Sequence, residues 1–241
     1  MAQCQESFKR YEKKYLLKQE QYRELNKQLM GRMESDEYGL HKICNIYFDT
    51  EDYELIRTSL EKPTYKEKLR IRSYGIPKLN DMVFLELKKK YKGIVYKRRV
   101  RLTLEEAQNF LLEGKSPKDG NQVIGEINWF LKSYSPIPKA YISYDRCALF
   151  GREDPNLRIT FDKNITYRDT CLDLSKGSWG TKILKPGTTL MEIKIPECMP
   201  LWLSQILAEL EIFPTSFSKY GTCYKEHIIY KKYLKGGGIC A

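Results

Sequence analysis

Residues 68–75 read KLRIRSYG, in which Lys68, Arg70 and Arg72 alternate with Leu69 and Ile71. A two-residue period predicts a half-buried strand whose three cations point to one side, roughly 7 Å apart for each two-residue step. Cations at that spacing can grip a phosphorylated compound. An Arg fork reaches two non-bridging oxygens at once, and a Lys supplies a compact point charge. One such strand alone would be read as a solvated face that keeps a sheet soluble.

Other segments repeat the pattern. One face collects Arg10, Glu12 and Lys14, then Glu86, Lys88 and Lys90, then Lys97, Arg99 and Arg101. It continues with Tyr144 and Arg146, with Arg158, Thr160 and Asp162, and with Glu192 and Lys194. The opposite positions are apolar: Leu85 and Leu87, Val100 and Leu102, Leu157, Ile159 and Phe161, Met191, Ile193 and Ile195. Two architectures fit. An open sheet with helices on its apolar side puts the ionic face in water. A closed barrel of about eight strands turns that face inward and leaves helices on the apolar outside. Arg and Lys gathered in a lumen repel one another unless a polyanion joins them. The interleaved Glu12, Glu86 and Glu192 relieve part of that repulsion and offer hard oxygens suited to Mg²⁺ or Mn²⁺.

Elements that could position these residues follow from the same periodicities. Strands are predicted over 8–17, 41–50, 83–91, 94–102, 140–150, 157–167 and 189–196, the third and fourth forming a hairpin around Lys92-Gly93. Helices are predicted over 18–33, 52–60, 123–133 and 200–212, and the segment 218–234 reads as largely helical. TLEEAQNFLLEG (103–114) carries its own start and stop signals, an N-cap Thr103 and a terminal Gly114.

Composition narrows the chemistry. The net charge of +11 favours an anionic partner: nucleic acid, an acidic membrane surface or a polyphosphorylated compound. The aromatics that single-stranded nucleic acid would stack on fall mostly off the cationic face, so nucleic acid is not expected. Seven cysteines, odd in number and without a C-x-x-C pair, suit reduced thiols. Two histidines, His41 and His227, exclude a His-rich metal centre and poorly support a Ser/His or Cys/His couple. No apolar run of about 18 residues offers a membrane span, and residues 1–15 lack the apolar core of a signal peptide. A soluble cytoplasmic protein is expected, folded as one domain over 1–241, with association through a membrane-bound partner left open.

The motifs Arg10-x-Glu12-x-Lys14, YFDT (47–50), KLRIRSYG, FLELKKK (84–90), SYDR (143–146), LRITFD (157–162), MEIK (191–194) and SFSKY (216–220) occur in an order that resembles VTC-type polyphosphate polymerase domains. Those domains belong to the triphosphate tunnel metalloenzymes, and the resemblance runs from about Phe8 to Tyr233. It implies an α+β fold built on a closed antiparallel barrel whose lumen binds ATP and inorganic polyphosphate. The implied reaction moves the γ-phosphoryl group of ATP to a growing chain, releases ADP and requires Mn²⁺ or Mg²⁺.

By motif position the resemblance assigns phosphate binding and catalysis to Lys14, Arg70, Arg72, Lys88, Arg146, Arg158 and Lys219. Tyr144 assists in the lumen, and Glu192 is the metal ligand. Lys97, Arg99 and Lys194 join the phosphate-binding set by their face. Phosphoryl transfer needs mainly positioning and charge neutralisation, so the scarcity of His is no obstacle. Two other functions stay open, a tripolyphosphate or nucleoside triphosphate hydrolase and a non-catalytic polyphosphate-binding domain. Tunnel hydrolases carry a fuller E-x-E-x-K on the first strand, and here Arg10 stands in place of the first Glu.

Overall fold

The structure, a computed structural model, describes residues 11–92, 94–117, 121–195 and 198–229. Arg10, the strand residues expected at 8–9 and the helical residues expected at 230–234 lie outside the described residues. In chain order the elements are β1 (Tyr11–Leu17), α1 (Gln19–Leu29), β2 (Met33–Ser35), β3 (His41–Asp49), α2 (Glu54–Leu60), β4 (Tyr65–Tyr74), β5 (Met82–Tyr91) and β6 (Ile94–Thr103). There follow α3 (Leu104–Glu113), α4 (Gln122–Tyr134), β7 (Ile137–Gly151), β8 (Arg158–Arg168), β9 (Thr181–Lys182), β10 (Thr189–Ile195), α5 (Leu201–Glu209), β11 (Pro214–Thr215) and α6 (Lys219–Cys223). A single π turn, Tyr224–Ile228, extends α6.

Local sequence explains the boundaries. The Thr103 hydroxyl accepts the Glu106 N–H at 3.1 Å while Glu106 accepts the Thr103 N–H at 2.9 Å, a reciprocal cap that starts α3. Gly114, at φ 70°, ends it in the left-handed region. Asp49, at the end of β3, accepts the backbone N–H groups of Leu55 at 2.9 Å and Ile56 at 3.0 Å, and so anchors the first turn of α2.

The described residues fall into two compact units. One is drawn from the described residues within 11–41, 145–164 and 184–217, the other from those within 42–144, 165–183 and 218–229. In the first unit, Leu25 and Leu29 of α1 and Leu203, Ile206 and Leu207 of α5 pack on Ile159, Phe161, Met191 and Ile193. In the second, Leu104, Ala107 and Phe110 of α3 and Ile124, Ile127 and Phe130 of α4 pack on Leu69, Ile71, Leu85 and Leu87. Each buried Leu, Ile or Phe contributes about 1.5–3 kcal/mol, so the apolar side of each sheet segment is fixed by its helices. The period-2 pattern then leaves the ionic side chains on the other side.

The pairing path runs β11-β1-β10-β8-β7-β3-β4-β5-β6, with β2 added to β7 and β9 to β8. Among the described residues no pairing joins β6 to β11. The expected closed barrel is therefore not what forms: the antiparallel sheet is open. Both edges have features that stop a ladder. β11 is two residues long and begins with Pro214, which has no N–H to give. β6 exposes Lys97, Arg98, Arg99 and Arg101, and such charges deter further strand pairing. The helices on the apolar side agree with the α+β part of the expectation.

Candidate functional site

The second unit builds its site from β3, β4, β5 and β6. Their register sets Tyr47 opposite Arg70, Arg70 opposite Glu86 and Glu86 opposite Arg99. The next row holds Asn45, Arg72, Phe84 and Arg101, and the row on the other side holds Lys68, Lys88 and Lys97. Three lysines abreast on adjacent strands are unfavourable without a counter-charge, because like charges directly opposite repel.

Glu86 is the carboxylate inside this field. Its Oε2 lies 2.6 Å from Arg70 Nη2 and 3.8 Å from Arg72 Nε, and its Oε1 lies 2.5 Å from Lys97 Nζ. Burial alone would raise its carboxyl, but Arg70, Arg72 and Lys97 outweigh that and hold it down at about 2. Desolvation pulls the Lys97 ammonium down to about 8 against the attraction of Glu86.

Tyrosines fix the guanidiniums. Arg70 Nη1 donates to the Tyr47 hydroxyl at 3.0 Å. Arg72 donates to Asn45 Oδ1 at 3.0 Å and to the Tyr144 hydroxyl at 3.3 Å. Lys219 Nζ sits 4.4 Å above the Tyr144 ring, and Arg99 lies 5.0 Å above the Phe84 ring. Behind them, the Tyr47 ring stacks on Tyr220 at 5.0 Å, and the Tyr220 hydroxyl donates to Asp49 at 2.9 Å. Burial raises the Tyr47 phenol, yet Arg70, Arg72 and Lys219 lower it further than that, for a net downward shift.

Of the residues expected here, Arg70, Arg72, Lys97, Tyr144 and Lys219 are joined by these contacts, and Lys88 and Arg99 share their rows. Sequence reasoning gave no role to Tyr47, Asn45, Asp49 or Tyr220. Tyr47 and Tyr220 nevertheless sit in the YFDT and SFSKY motifs. Aromatic rings were expected mostly off the cationic face, but Tyr47, Phe84 and Tyr144 are on it. Tyr47 and Tyr144 bond the guanidiniums through their hydroxyls, and Phe84 lies under Arg99.

The first unit carries a second ionic face on β1, β10 and β8. Lys14 pairs in register with Glu192, which pairs with Thr160, and Glu12 pairs with Lys194, which pairs with Arg158. Lys14 Nζ donates to the Phe217 carbonyl at 3.0 Å and lies 3.5 Å from Glu12. Lys194 Nζ lies 3.4 Å from Glu192. Arg146 is held in both prongs by Asp162, at 2.6 and 2.8 Å, an ion pair that sequence reasoning did not foresee. Arg158 is exposed and lines a cavity of about 580 Å³ with Asp36 and Glu37, so its surroundings are partly acidic.

Among the described residues no group of three or more His, Cys, Asp or Glu side chains is arranged to hold a metal ion. Mg²⁺ and Mn²⁺ do not need one, since one or two carboxylates plus substrate phosphates and water complete their shell. Glu192 is buried, and across from it the buried Thr160 Oγ1 has no hydrogen-bond partner. These hard oxygens suit a divalent ion, and Glu192 would be its charged ligand. Among the described residues, no helix is long and apolar enough to cross a membrane.

A family model described as the VTC domain matches residues 9–228. No curated protein sequence matches the chain. Among solved structures, a candidate adenylate cyclase from Bacillus halodurans is similar at 18% identity with a TM-score of 0.55, covering 86% of this chain and 92% of its own. A Hippeastrum adenylyl cyclase candidate, described as having a dominant triphosphatase activity, is similar at 16% identity with a TM-score of 0.53, covering 95% and 96%. These likenesses concern the fold alone.

Proposed function

Because the chain belongs to the VTC domain family, we propose that it is an ATP-dependent polyphosphate polymerase. In the proposed reaction the terminal phosphate oxygen of a polyphosphate chain attacks the γ-phosphorus of ATP. The bond from that phosphorus to the bridging oxygen breaks, ADP leaves, and the chain is one phosphate longer. No protein nucleophile is needed, because the attacking oxygen is already anionic. The protein's task is to position the reactants and neutralise charge.

The observation that carries this reading is the row of Lys68, Lys88 and Lys97 beside Arg70, Arg72 and Arg99, where the carboxylate of Glu86 is already engaged by Arg70 and Lys97. Such a face has a deficit of negative charge that a triphosphate supplies. Arg70 and Arg72 are held by Tyr47, Asn45 and Tyr144, so their forks are oriented before the ligand arrives. Lys88, Lys97, Arg99, Tyr144 and Lys219 complete the phosphate-binding set of this unit. In the first unit Lys14, Arg146, Arg158 and Lys194 carry cationic charge of their own, and Glu192 would hold Mn²⁺ or Mg²⁺, which would supply charge neutralisation at phosphate oxygens.

The test is the fate of a label at the γ-phosphorus of ATP. The proposed function requires the label to enter a polymer resistant to orthophosphate extraction. Label released only as orthophosphate identifies a hydrolase, and label retained in intact ATP beside bound polyphosphate identifies a binding domain.

A further inference from the structure

The contacts around Arg70 and Arg72 close into a circuit. Arg70 donates to the Tyr47 hydroxyl, the Tyr47 ring stacks on Tyr220, and the chain neighbour of Tyr220, Lys219, lays its ammonium over the Tyr144 ring. The Tyr144 hydroxyl accepts from Arg72, which shares β4 with Arg70. Tyr220 is 3% exposed and Asp49, which takes its hydroxyl, is 0% exposed, so both act from behind the cationic face. The Oδ2 atom of Asp49 accepts the Tyr220 hydroxyl at 2.9 Å and the Ile56 N–H at 3.0 Å, and one oxygen thus fastens α6 to the first turn of α2. Burial, and then Asp49, raise the Tyr220 phenol, which keeps it protonated as the donor. α6 spans five residues, and a helix so short is not held by its own backbone bonds. Its partners hold it instead: a Cβ on Gly221 would stand 3.0 Å from Leu60 of α2, and the Ser218 hydroxyl accepts from the Gly221 N–H at 3.2 Å and from Lys68 at 3.4 Å.

We infer that Asp49 and Tyr220 are positioning residues, which fix the place of Lys219 relative to Arg70 and Arg72 before a phosphate ligand arrives. The inference rests on the phosphate role proposed for Lys219 and deepens it. A lysine carries its charge on a flexible stem and loses rotamer freedom when it grips a ligand. Holding the backbone of Lys219 through its neighbour Tyr220, and its ammonium against the Tyr144 ring, meets part of that ordering cost in advance. The Tyr220 hydroxyl then acts on phosphate only through α6. Its removal costs affinity as long as Lys219 is there to be placed, and costs nothing once the Lys219 charge is gone.

The experiment measures tripolyphosphate affinity by calorimetric titration, without ATP or metal, in the parent, Tyr220→Phe, Lys219→Gln and the double variant. Tyr220→Phe removes only the hydroxyl: the ring can still stack on Tyr47, and Asp49 keeps its bonds to the α2 backbone. The expected result is a loss of about tenfold for Tyr220→Phe in the parent, the scale of one buried hydrogen bond to a carboxylate, and no further loss in the Lys219→Gln background. The same loss in both backgrounds marks a general weakening of the fold and overturns the positioning role, as does unchanged affinity in Tyr220→Phe. Asp49→Asn weakens the same bond from the acceptor side, carries the same expectation in both backgrounds, and decides the matter if Tyr220→Phe does not fold. Failure of both variants to fold assigns the pair to stability alone and overturns the inference too. A parent protein that does not bind tripolyphosphate overturns the phosphate reading itself, a result distinct from any of these.

Discussion

Arg70 and Glu86 face each other across the β4–β5 register, with Arg70 Nε 2.8 Å and Nη2 2.6 Å from the same carboxylate oxygen, Oε2. The other oxygen of Glu86 is taken by Lys97 at 2.5 Å. One buried acid thus sets the spacing of two cations on neighbouring strands. Burial works against its ionisation, but the cations win and bring its carboxyl from 4.5 to about 2.

That shift has a sign. The folded protein holds the proton less tightly than the unfolded chain, so the stabilisation is present above about pH 4.5 and is lost as pH falls towards 2. A shift of this size corresponds to about 3 kcal/mol. Glu86→Gln should lower unfolding free energy by about 2–4 kcal/mol at neutral pH, since it leaves buried cations without their partner. It should also flatten the loss of stability between about pH 5 and 3. Denaturant melts across that range check this, and parallel curves for parent and variant would rule out Glu86 as the source.

Arg70→Ala/Arg72→Ala should weaken tripolyphosphate binding by at least about a hundredfold, from loss of charge-assisted hydrogen bonds worth about 1.5–3 kcal/mol each. Calorimetric titration measures it, with circular dichroism confirming that the fold survives. Undiminished affinity would remove the phosphate role from β4.

The alternation that exposes this cluster is plain in KLRIRSYG, because each apolar partner, Leu69 and Ile71, is committed to the core beneath α3 and α4. The helix over Leu104–Glu113 was equally legible, since Thr103, Glu106 and Gly114 make their contacts within one short segment. Closure of the sheet was not. It depends on whether the two end strands pair, and the edge strand β11 is the dipeptide Pro214–Thr215, too short to give a periodic signal. The bidentate hold of Asp162 on Arg146 was hidden for a related reason: a face assignment says which residues share a side, not which of them neutralise one another. The link from Asp49 through Tyr220 to Tyr47 joins residues 171 positions apart in sequence, beyond the reach of any local pattern.

Lys97 gives a pH dependence of its own. Its ammonium is lowered to about 8, and its side chain keeps 41% of its surface in water, so it can titrate in the folded protein. It is charged below that value and neutral above it. Tripolyphosphate affinity should therefore fall as pH rises from 7 to 9, and Lys97→Arg, which stays charged throughout, should abolish the dependence. An unaltered pH profile in the variant would assign the titration to another group.

Glu192→Gln keeps the shape of the side chain and removes its charge. Metal-dependent polymer synthesis should fall by at least about a hundredfold, equivalent to nearly 3 kcal/mol of transition-state stabilisation, while metal-free tripolyphosphate binding persists. Synthesis at the parent rate with the same metal requirement would move the ligand role to Glu12 or Glu86.

The most direct measurement is the stoichiometry of the reaction itself. The purified protein is incubated with ATP and Mn²⁺, ADP and orthophosphate are quantified over time, and the products are separated on a gel stained for polyphosphate. The account predicts a ladder that lengthens with time, one ADP for each phosphate in the polymer, and orthophosphate at background. ADP matched by orthophosphate without a ladder, or cyclic AMP with pyrophosphate, would contradict it.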